Sequence, residues 1–161
     1  MAAYTIANLR ADGVNVGTST APVASHTAPS PYCLSIDLDF AAITAARVAA
    51  GETAFATNDV VEVIPIPAKT YILAVGVDVT TADGTASTID IGLTGGDVDG
   101  WIDGADANAI GSEVGIGAES GGLLANSYQA SATTLSMTML TAPQDASVMR
   151  VWALMCDCSG N

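Results

Sequence analysis

The hydrophobic and polar positions follow their clearest pattern between residues 59 and 93, where three apolar runs are separated by proline and glycine. The middle run alternates apolar and polar residues, which is typical of a strand with one buried face. Its predicted inward residues are Tyr71, Leu73, Val75, Val77 and Val79. The pair Asp83-Gly84, which follows this run, is the strongest hairpin signal in the sequence. Pro65 and Pro67 predict a sheet edge or a bend, because proline cannot donate a hydrogen bond within a sheet.

The same alternation predicts strands on either side of this stretch. Residues 33–40 alternate, with Leu34, Ile36, Leu38 and Phe40 predicted to point inward. The next segment, AAITAARVAA, is the one helix candidate, and Gly51 is placed to end it. In the last apolar run, Val148, Arg150, Trp152 and Leu154 share one face, so that Arg150 can stack on Trp152. About seven or eight strands predict an all-β fold, a two-sheet antiparallel β-sandwich of jelly-roll type.

The first 31 residues differ from the rest of the chain. They are rich in proline and small polar residues and have no sustained period, so the segment cannot bury enough surface to fold alone. Tyr4, Ile6 and Leu9 nevertheless alternate as in a short strand. Two interpretations remain open: a frayed terminus, or an extended arm that adds to a neighbouring surface. The predicted organisation is an N-terminal arm over residues 1–31 and a β-sandwich domain over residues 32–161.

A stretch of about thirty residues after Leu93 is dominated by glycine and aspartate, and a loop of this length is commonly functional. Trp101 is the one large aromatic residue among its acidic residues. Four carboxylates make the stretch a candidate calcium site, since calcium prefers oxygen ligands: Asp97, Asp99, Asp103 and Asp106. Trp101 falls where the third oxygen ligand of an EF-hand loop belongs. The pattern therefore favours a solvated acidic turn.

The charge balance excludes two classes of partner. Four basic residues against 17 acidic ones give a formal net charge of -13, which repels nucleic acid and anionic membranes. Most of the four basic residues are expected to be solvated surface cations: Arg10, Arg47, Lys69 and Arg150. The N-terminal sequence lacks the basic and apolar regions of a signal peptide, and no apolar run reaches the ~18 residues of a membrane helix. We expect a soluble protein made in a cytoplasm.

The residues do not form a recognisable catalytic or cofactor motif. The only histidine, His26, lies in the proline-rich arm, which favours a polar linker residue over a general base. Cys33, Cys156 and Cys158 lack the spacing of a metal or redox motif, so free thiols are predicted. Asp37 and Asp39 lie two apart on a strand and are expected to face water. The sequence therefore predicts a protein that is not an enzyme and needs no cofactor.

One segment reads DVVEVIPIPAKTYILAVGVDVTTADGTASTIDIG and is followed by GGDVDGWIDG and a closing strand. This pattern resembles small structural proteins encoded among the head genes of tailed bacteriophages. The resemblance covers residues 59–106, with weaker similarity in IDLDFAAI and in the last strand. It implies a capsid decoration, or cement, protein: a β-sandwich, often trimeric, that binds the outer surface of the head and braces neighbouring capsomers. Such a protein is made in the cytoplasm of the host bacterium, and its partners are the major capsid protein and its own copies.

Six residues are interface candidates under this hypothesis, and Trp101 is a seventh candidate under the first alternative below. The arm contributes Tyr4, Ile6, Leu9 and Arg10, and the turn after the first apolar run contributes Ile66 and Lys69. Two alternatives remain open. In a tail, fibre or baseplate component, the loop around Trp101 is the recognition surface, and Trp101→Ala abolishes cell binding. In a calcium-dependent carbohydrate-binding module, calcium raises the melting temperature and a chelator reverses the gain.

Overall fold

The computed structural model of the chain describes residues 31–116 and 127–159, together with the backbone of residues 3–5. Its strands and its helix follow in chain order: β1 (Ala3–Thr5), β2 (Pro31–Asp39), α1 (Phe40–Ala49), β3 (Val60–Ile66), β4 (Thr70–Thr81), β5 (Thr88–Leu93), β6 (Ile102–Asp106), β7 (Gly111–Gly115), β8 (Tyr128–Gln129), β9 (Thr133–Met139) and β10 (Val148–Asp157). Within these residues, no helix is long and apolar enough to cross a membrane.

The strands form two sheets that pack face to face around a shared apolar core. The first sheet has the order β1-β3-β9-β5-β6, and the second has the order β2-β10-β4-β7, with β8 pairing to β4. The pairs are antiparallel except for β1 with β3, which is parallel. The inward residues predicted for β2 are buried, from Leu34 to Phe40. The predicted all-β sandwich with antiparallel sheets is therefore confirmed.

The predicted hairpin at Asp83-Gly84 is wrong. Strand β4 lies in the second sheet, whereas β5 lies in the first sheet between β9 and β6. Both edges of β4 are already occupied, one by β10 and the other by β7 and β8, so β5 has no edge of β4 to join. The Asp83 backbone N–H instead donates to the Ala107 carbonyl at 2.9 Å as the chain crosses between the sheets.

The inward face predicted for β4 is correct for only half of the strand. Val75, Val77 and Val79 are buried, but Tyr71 and Leu73 point outward. The cause is a β-bulge: consecutive β10 residues, Leu154 and Met155, pair with Ala74 and Ile72, so that Leu73 is an extra residue on β4. One inserted residue moves every following side chain to the opposite face, because the side-chain period of a strand is two.

The acidic stretch after Leu93 is more regular than its composition predicts. It contains β6 and β7. Strand β6 pairs antiparallel with β5, so these two strands form a hairpin whose loop is residues 94–101. The β6 strand extends the first sheet and β7 extends the second, which places the stretch across the two sheets. The prediction of one long loop is therefore wrong over residues 102–106 and 111–115, since pairing with distant strands outweighs weak local strand propensity.

The predicted helix is confirmed, but one of its residues departs from expectation. Asp39 caps the first turn by accepting a hydrogen bond from the Ala42 N–H at 3.0 Å, and Gly51 follows the last turn with a φ of 85°. Arg47 is buried, with 1% of its surface exposed, and is not a solvated surface cation. The reason is that the 52–55 segment folds back over it: its guanidinium donates to the Thr53 carbonyl and lies 4.4 Å from the ring centre of Phe55.

The predicted arm over residues 1–31 lies mostly outside the described ranges. Residues 3–5 pair in parallel with Val60, Val61 and Glu62 of β3, which adds a short strand to the first sheet. The described part of the sandwich resumes with β2 at Pro31. The predicted sites Ile6, Leu9 and Arg10, as well as His26, lie among residues that the structure does not describe.

Candidate interaction surface

The outward face of the second sheet carries an unusual share of large apolar side chains. Its centre is Trp152 on β10, whose register partners are Ser35 on β2 and Gly76 on β4, and Gly76 is in turn opposite Val114 on β7. The Trp152 indole lies against Gly76, where a Cβ would stand 2.3 Å from the ring atom Cε2. A glycine at this position therefore leaves room for the indole to extend from β10 over β4.

The bulge in β4 adds two more apolar residues to this face. Because of it, Tyr71 and Leu73 are 42% and 39% exposed. Tyr71 is the register partner of Tyr128 on β8, and the two ring centres lie 4.9 Å apart at an interplanar angle of 43°. We call these exposed or half-buried residues the outer apolar face: Tyr71, Leu73, Val114, Tyr128, Trp152 and Leu154.

Acidic residues lie at the end of the outer apolar face that is nearest to Val148. Arg150 is the register partner of both Asp37 and Asp78, and Asp39 is opposite Val148. The Arg150 guanidinium makes two hydrogen bonds to the Asp37 carboxylate, at 2.7 and 3.2 Å. These bonds lower the pKa of Asp37 and raise that of Arg150. Arg150 is thus joined to a carboxylate on the neighbouring strand. We call Asp37, Asp39 and Asp78 the acidic margin.

Two of the predicted interface residues are not available at the surface. Ile66 and Trp101 are each 1% exposed and belong to the core, so their side chains cannot contact a partner while the chain is folded. The Trp101 backbone N–H bonds to the Ile91 carbonyl of β5, and Gly115 of β7 packs directly on the Trp101 carbonyl. Lys69 is exposed, with a φ of 59° in the turn between β3 and β4. Of Tyr4, only the backbone is described.

The acidic turn does not assemble a cation site in the described part of the chain. Over residues 31–116 and 127–159, no group of three or more histidine, cysteine, aspartate or glutamate side chains is placed to hold a metal ion. Asp97 and Asp99 instead share a hydrogen bond between their carboxyl groups, which raises the pKa of Asp99. The Asp106 carboxylate accepts a hydrogen bond from the Asn108 N–H at 2.8 Å.

The three cysteines are free thiols, as predicted. Cys33 lies on the outward side of β2 opposite Leu154 and is exposed, and Cys156 lies on β10 two residues beyond Leu154 and is partly buried. Burial raises the pKa of the Cys156 thiol, and the neighbouring Cys158 adds to the effect. A raised pKa keeps the thiol protonated and therefore weakly nucleophilic.

Three carboxyl groups have a raised pKa in the folded protein, so they make the fold more stable at acidic pH than at neutral pH. The pKa of Asp145 is raised by a hydrogen bond with the Asp83 carboxyl group, that of Asp99 by one with Asp97, and that of Asp90 by burial. A carboxyl group whose pKa is raised in the folded state stabilises the fold fully below its ordinary pKa of 3.8. This stabilisation is lost as the pH rises through the raised pKa. Asp37 and Asp157 have lowered pKa values, so their contributions are present above 3.8 and are lost below it.

We therefore expect the melting temperature to rise as the pH falls from neutral toward 3.8 and to fall again below that value. Differential scanning calorimetry across this range measures both limbs. Asp145→Asn is expected to flatten the rise, and Asp37→Asn is expected to flatten the fall. A melting temperature that decreases steadily from neutral pH downward would contradict the prediction.

Comparison with known proteins identifies the fold. No protein-family model and no curated protein matches the chain. A chain of the cyanophage Pam1 capsid asymmetric unit has a TM-score of 0.58 at 15% identity, with 87% of this chain and 94% of that chain covered. A chain of the acidic stable capsid structure of Helicobacter pylori bacteriophage KHP30 has a TM-score of 0.51 at 11% identity, covering 78% and 86%. A chain of the capsid of Ralstonia phage GP4 has a TM-score of 0.50 at 14% identity, covering 86% and 89%.

The chain therefore has the β-sandwich fold of chains in three phage capsid structures. At these identities the likeness concerns the fold. The outer apolar face was visible only in part from the sequence, since the shared face of Trp152 and Leu154 was predicted but Tyr71 and Leu73 were assigned to the core. Tyr128 lies on β8, a strand of 2 residues, which is too short for alternation to define its outward face.

Proposed function

We propose that this protein is a structural component of a phage virion that decorates the outer surface of the head and stabilises contacts between capsomers. The observation that supports the proposal is the fold. Three phage capsid structures each contain a chain of similar fold, and this protein matches 86–94% of the length of those chains. Because the match extends over nearly the whole of each chain, it reflects a shared complete fold and not a small shared motif. The residues that resemble phage head proteins, 59–106, support the same role.

The surface chemistry agrees with a binding protein that has no catalytic role. A formal charge of -13 suits a protein that remains outside the shell and does not meet the packaged genome. The outer apolar face offers large side chains to a partner, and aromatic residues such as Tyr71, Tyr128 and Trp152 are those that interfaces favour. The proposed partners are the major capsid protein and further copies of this chain, with a trimer as the expected assembly.

The copy number in purified virions tests the proposal. Quantitative mass spectrometry of intact particles measures the amount of this protein relative to the major shell protein. We expect a simple ratio close to the number of shell subunits or capsomers. A few copies per particle would indicate a tail component instead, and absence from the particles would overturn a structural role in the virion.

A further inference from the structure

We propose that the outer apolar face is the surface that docks on the capsid shell, and that it recognises an apolar patch bordered by lysine or arginine. This inference rests on the proposed function and specifies the chemistry of the partner. It assigns the contact to the second sheet, whose outward residues include Leu73, Trp152 and Val114, and not to Ile66 or Trp101.

The composition of the face first indicates that it is a contact surface. The outward positions of β2 are small or polar, as at Ser35 and Asp37, which is usual for a sheet face in water. Across the neighbouring strands β10, β4, β7 and β8, six outward positions instead carry large apolar side chains. A contiguous exposed apolar area bordered by polar residues is the usual mark of a protein-binding site.

The geometry of the face indicates that it is ordered before binding. The Trp152 indole is held against Gly76, and the rings of Tyr71 and Tyr128 pack on each other. Leu73 is fixed in its outward direction by the bulge in the β4–β10 pairing. Side chains that already occupy their bound positions lose little conformational entropy on docking, which favours affinity.

The charges around the face determine the kind of partner. The acidic margin places three carboxylates beside one guanidinium, that of Arg150, which is already bonded to Asp37. The rest of the chain adds to this negative field, since the formal net charge is -13. A partner that presents basic residues to the acidic margin is therefore attracted and oriented as it approaches.

The same charges make a second copy of this chain a poor occupant of the face. The whole sequence has four basic residues. Arg47 is buried, and Arg150 belongs to the face itself. Two such faces brought together would also oppose two acidic margins and two molecules of charge -13. Assembly of copies would therefore use other surfaces, whereas this face remains available for the shell.

A binding experiment with phage heads that lack the protein tests this inference. The purified full-length chain is mixed with undecorated heads, and the bound fraction is measured by co-sedimentation. Leu73→Glu is expected to weaken binding about tenfold or more, because it places a charge within the apolar contact. Tyr128→Glu is expected to give a similar loss. The control is Val48→Glu, which makes the same charge change at a side chain of α1 that is 54% exposed.

Melting temperatures of all variants establish that they are folded, and added sodium chloride tests the charge complementarity. We expect binding of the unaltered protein to weaken as salt increases, and Asp78→Lys to weaken binding and reduce that salt dependence. Normal binding by folded Leu73→Glu and Tyr128→Glu would overturn the assigned face while leaving the decoration role intact. Failure of the unaltered protein to bind heads would overturn the decoration role itself. A purified oligomer that Leu73→Glu dissociates would identify a second copy as the occupant.

Discussion

Trp101→Ala is expected to lower the free energy of unfolding by about 3 to 5 kcal/mol. Trp101 is among the largest fully buried side chains, so alanine leaves a cavity that the surrounding backbone cannot fill. The neighbouring chain is fixed in place: the Trp101 N–H bonds to the Ile91 carbonyl at 3.0 Å, and Gly115 of β7 packs on the Trp101 carbonyl. Urea denaturation followed by circular dichroism measures the change.

Trp101→Phe is the matched variant for this prediction. The indole N–H has no hydrogen-bond partner among the described residues, so its removal costs little, and a smaller ring retains most of the apolar contact. We expect a loss of about 1 to 2 kcal/mol. Val98→Ala, in the same turn but 46% exposed, is expected to change stability by less than about 0.5 kcal/mol. If Trp101→Ala remains as stable as the unaltered chain but fails to bind cells, the tail interpretation regains support.

Arg47→Ala is expected to lower the free energy of unfolding by about 2 to 4 kcal/mol. The guanidinium is buried, and it donates to the Thr53 carbonyl at 2.9 and 3.2 Å, pairs with Glu52 at 2.9 Å, and lies over the Phe55 ring. Phe55 in turn packs edge-on against Phe40, with the ring centres 5.8 Å apart. Removing Arg47 therefore deletes the contacts of a buried guanidinium with Thr53 and Phe55, which hold the 52–55 segment against α1.

Glu52→Gln separates the burial of Arg47 from its ion pair. Glu52 is 46% exposed, so water replaces much of the lost interaction, and we expect a loss below about 1 kcal/mol. Thermal and urea unfolding of both variants, compared with the unaltered chain, give the two values. Equal losses for Arg47→Ala and Glu52→Gln would mean that the ion pair, and not the buried contacts with Thr53 and Phe55, provides the stabilisation.

The likeness to phage capsid chains and the resemblance in residues 59–106 agree on a β-sandwich fold, although they rest on different observations. The resemblance lies in short segments of sequence, whereas the structural likeness lies in the arrangement of strands, at 11–15% identity. The site is a different case. Arm residues such as Leu9 and Arg10 stay predictions, while Ile66 and Trp101 are excluded by burial, and the outer apolar face takes their place as the candidate contact.

The sequence by itself determined the features that depend on near neighbours. Alternation placed Leu34, Ile36 and Leu38 in the core, and the same period separated the two faces of β10. The helix followed from its alanine-rich composition, with Gly51 at its end. These elements could be predicted because strand periodicity and helix termination are governed by residues only a few positions apart.

Tertiary structure alone decided which strands pair, and therefore which side chains are exposed. The Asp83-Gly84 signal is local, but β10 and β7 occupy the edges of β4, so the expected hairpin does not form. The pairing with β10 inserts Leu73 as a bulge and turns Tyr71 to the surface. Trp101 stands among acidic residues in the sequence, yet Gly115 of β7 packs on its backbone and its side chain is buried. Pairing register and burial arise from contacts between residues far apart in the chain, and no local pattern records them.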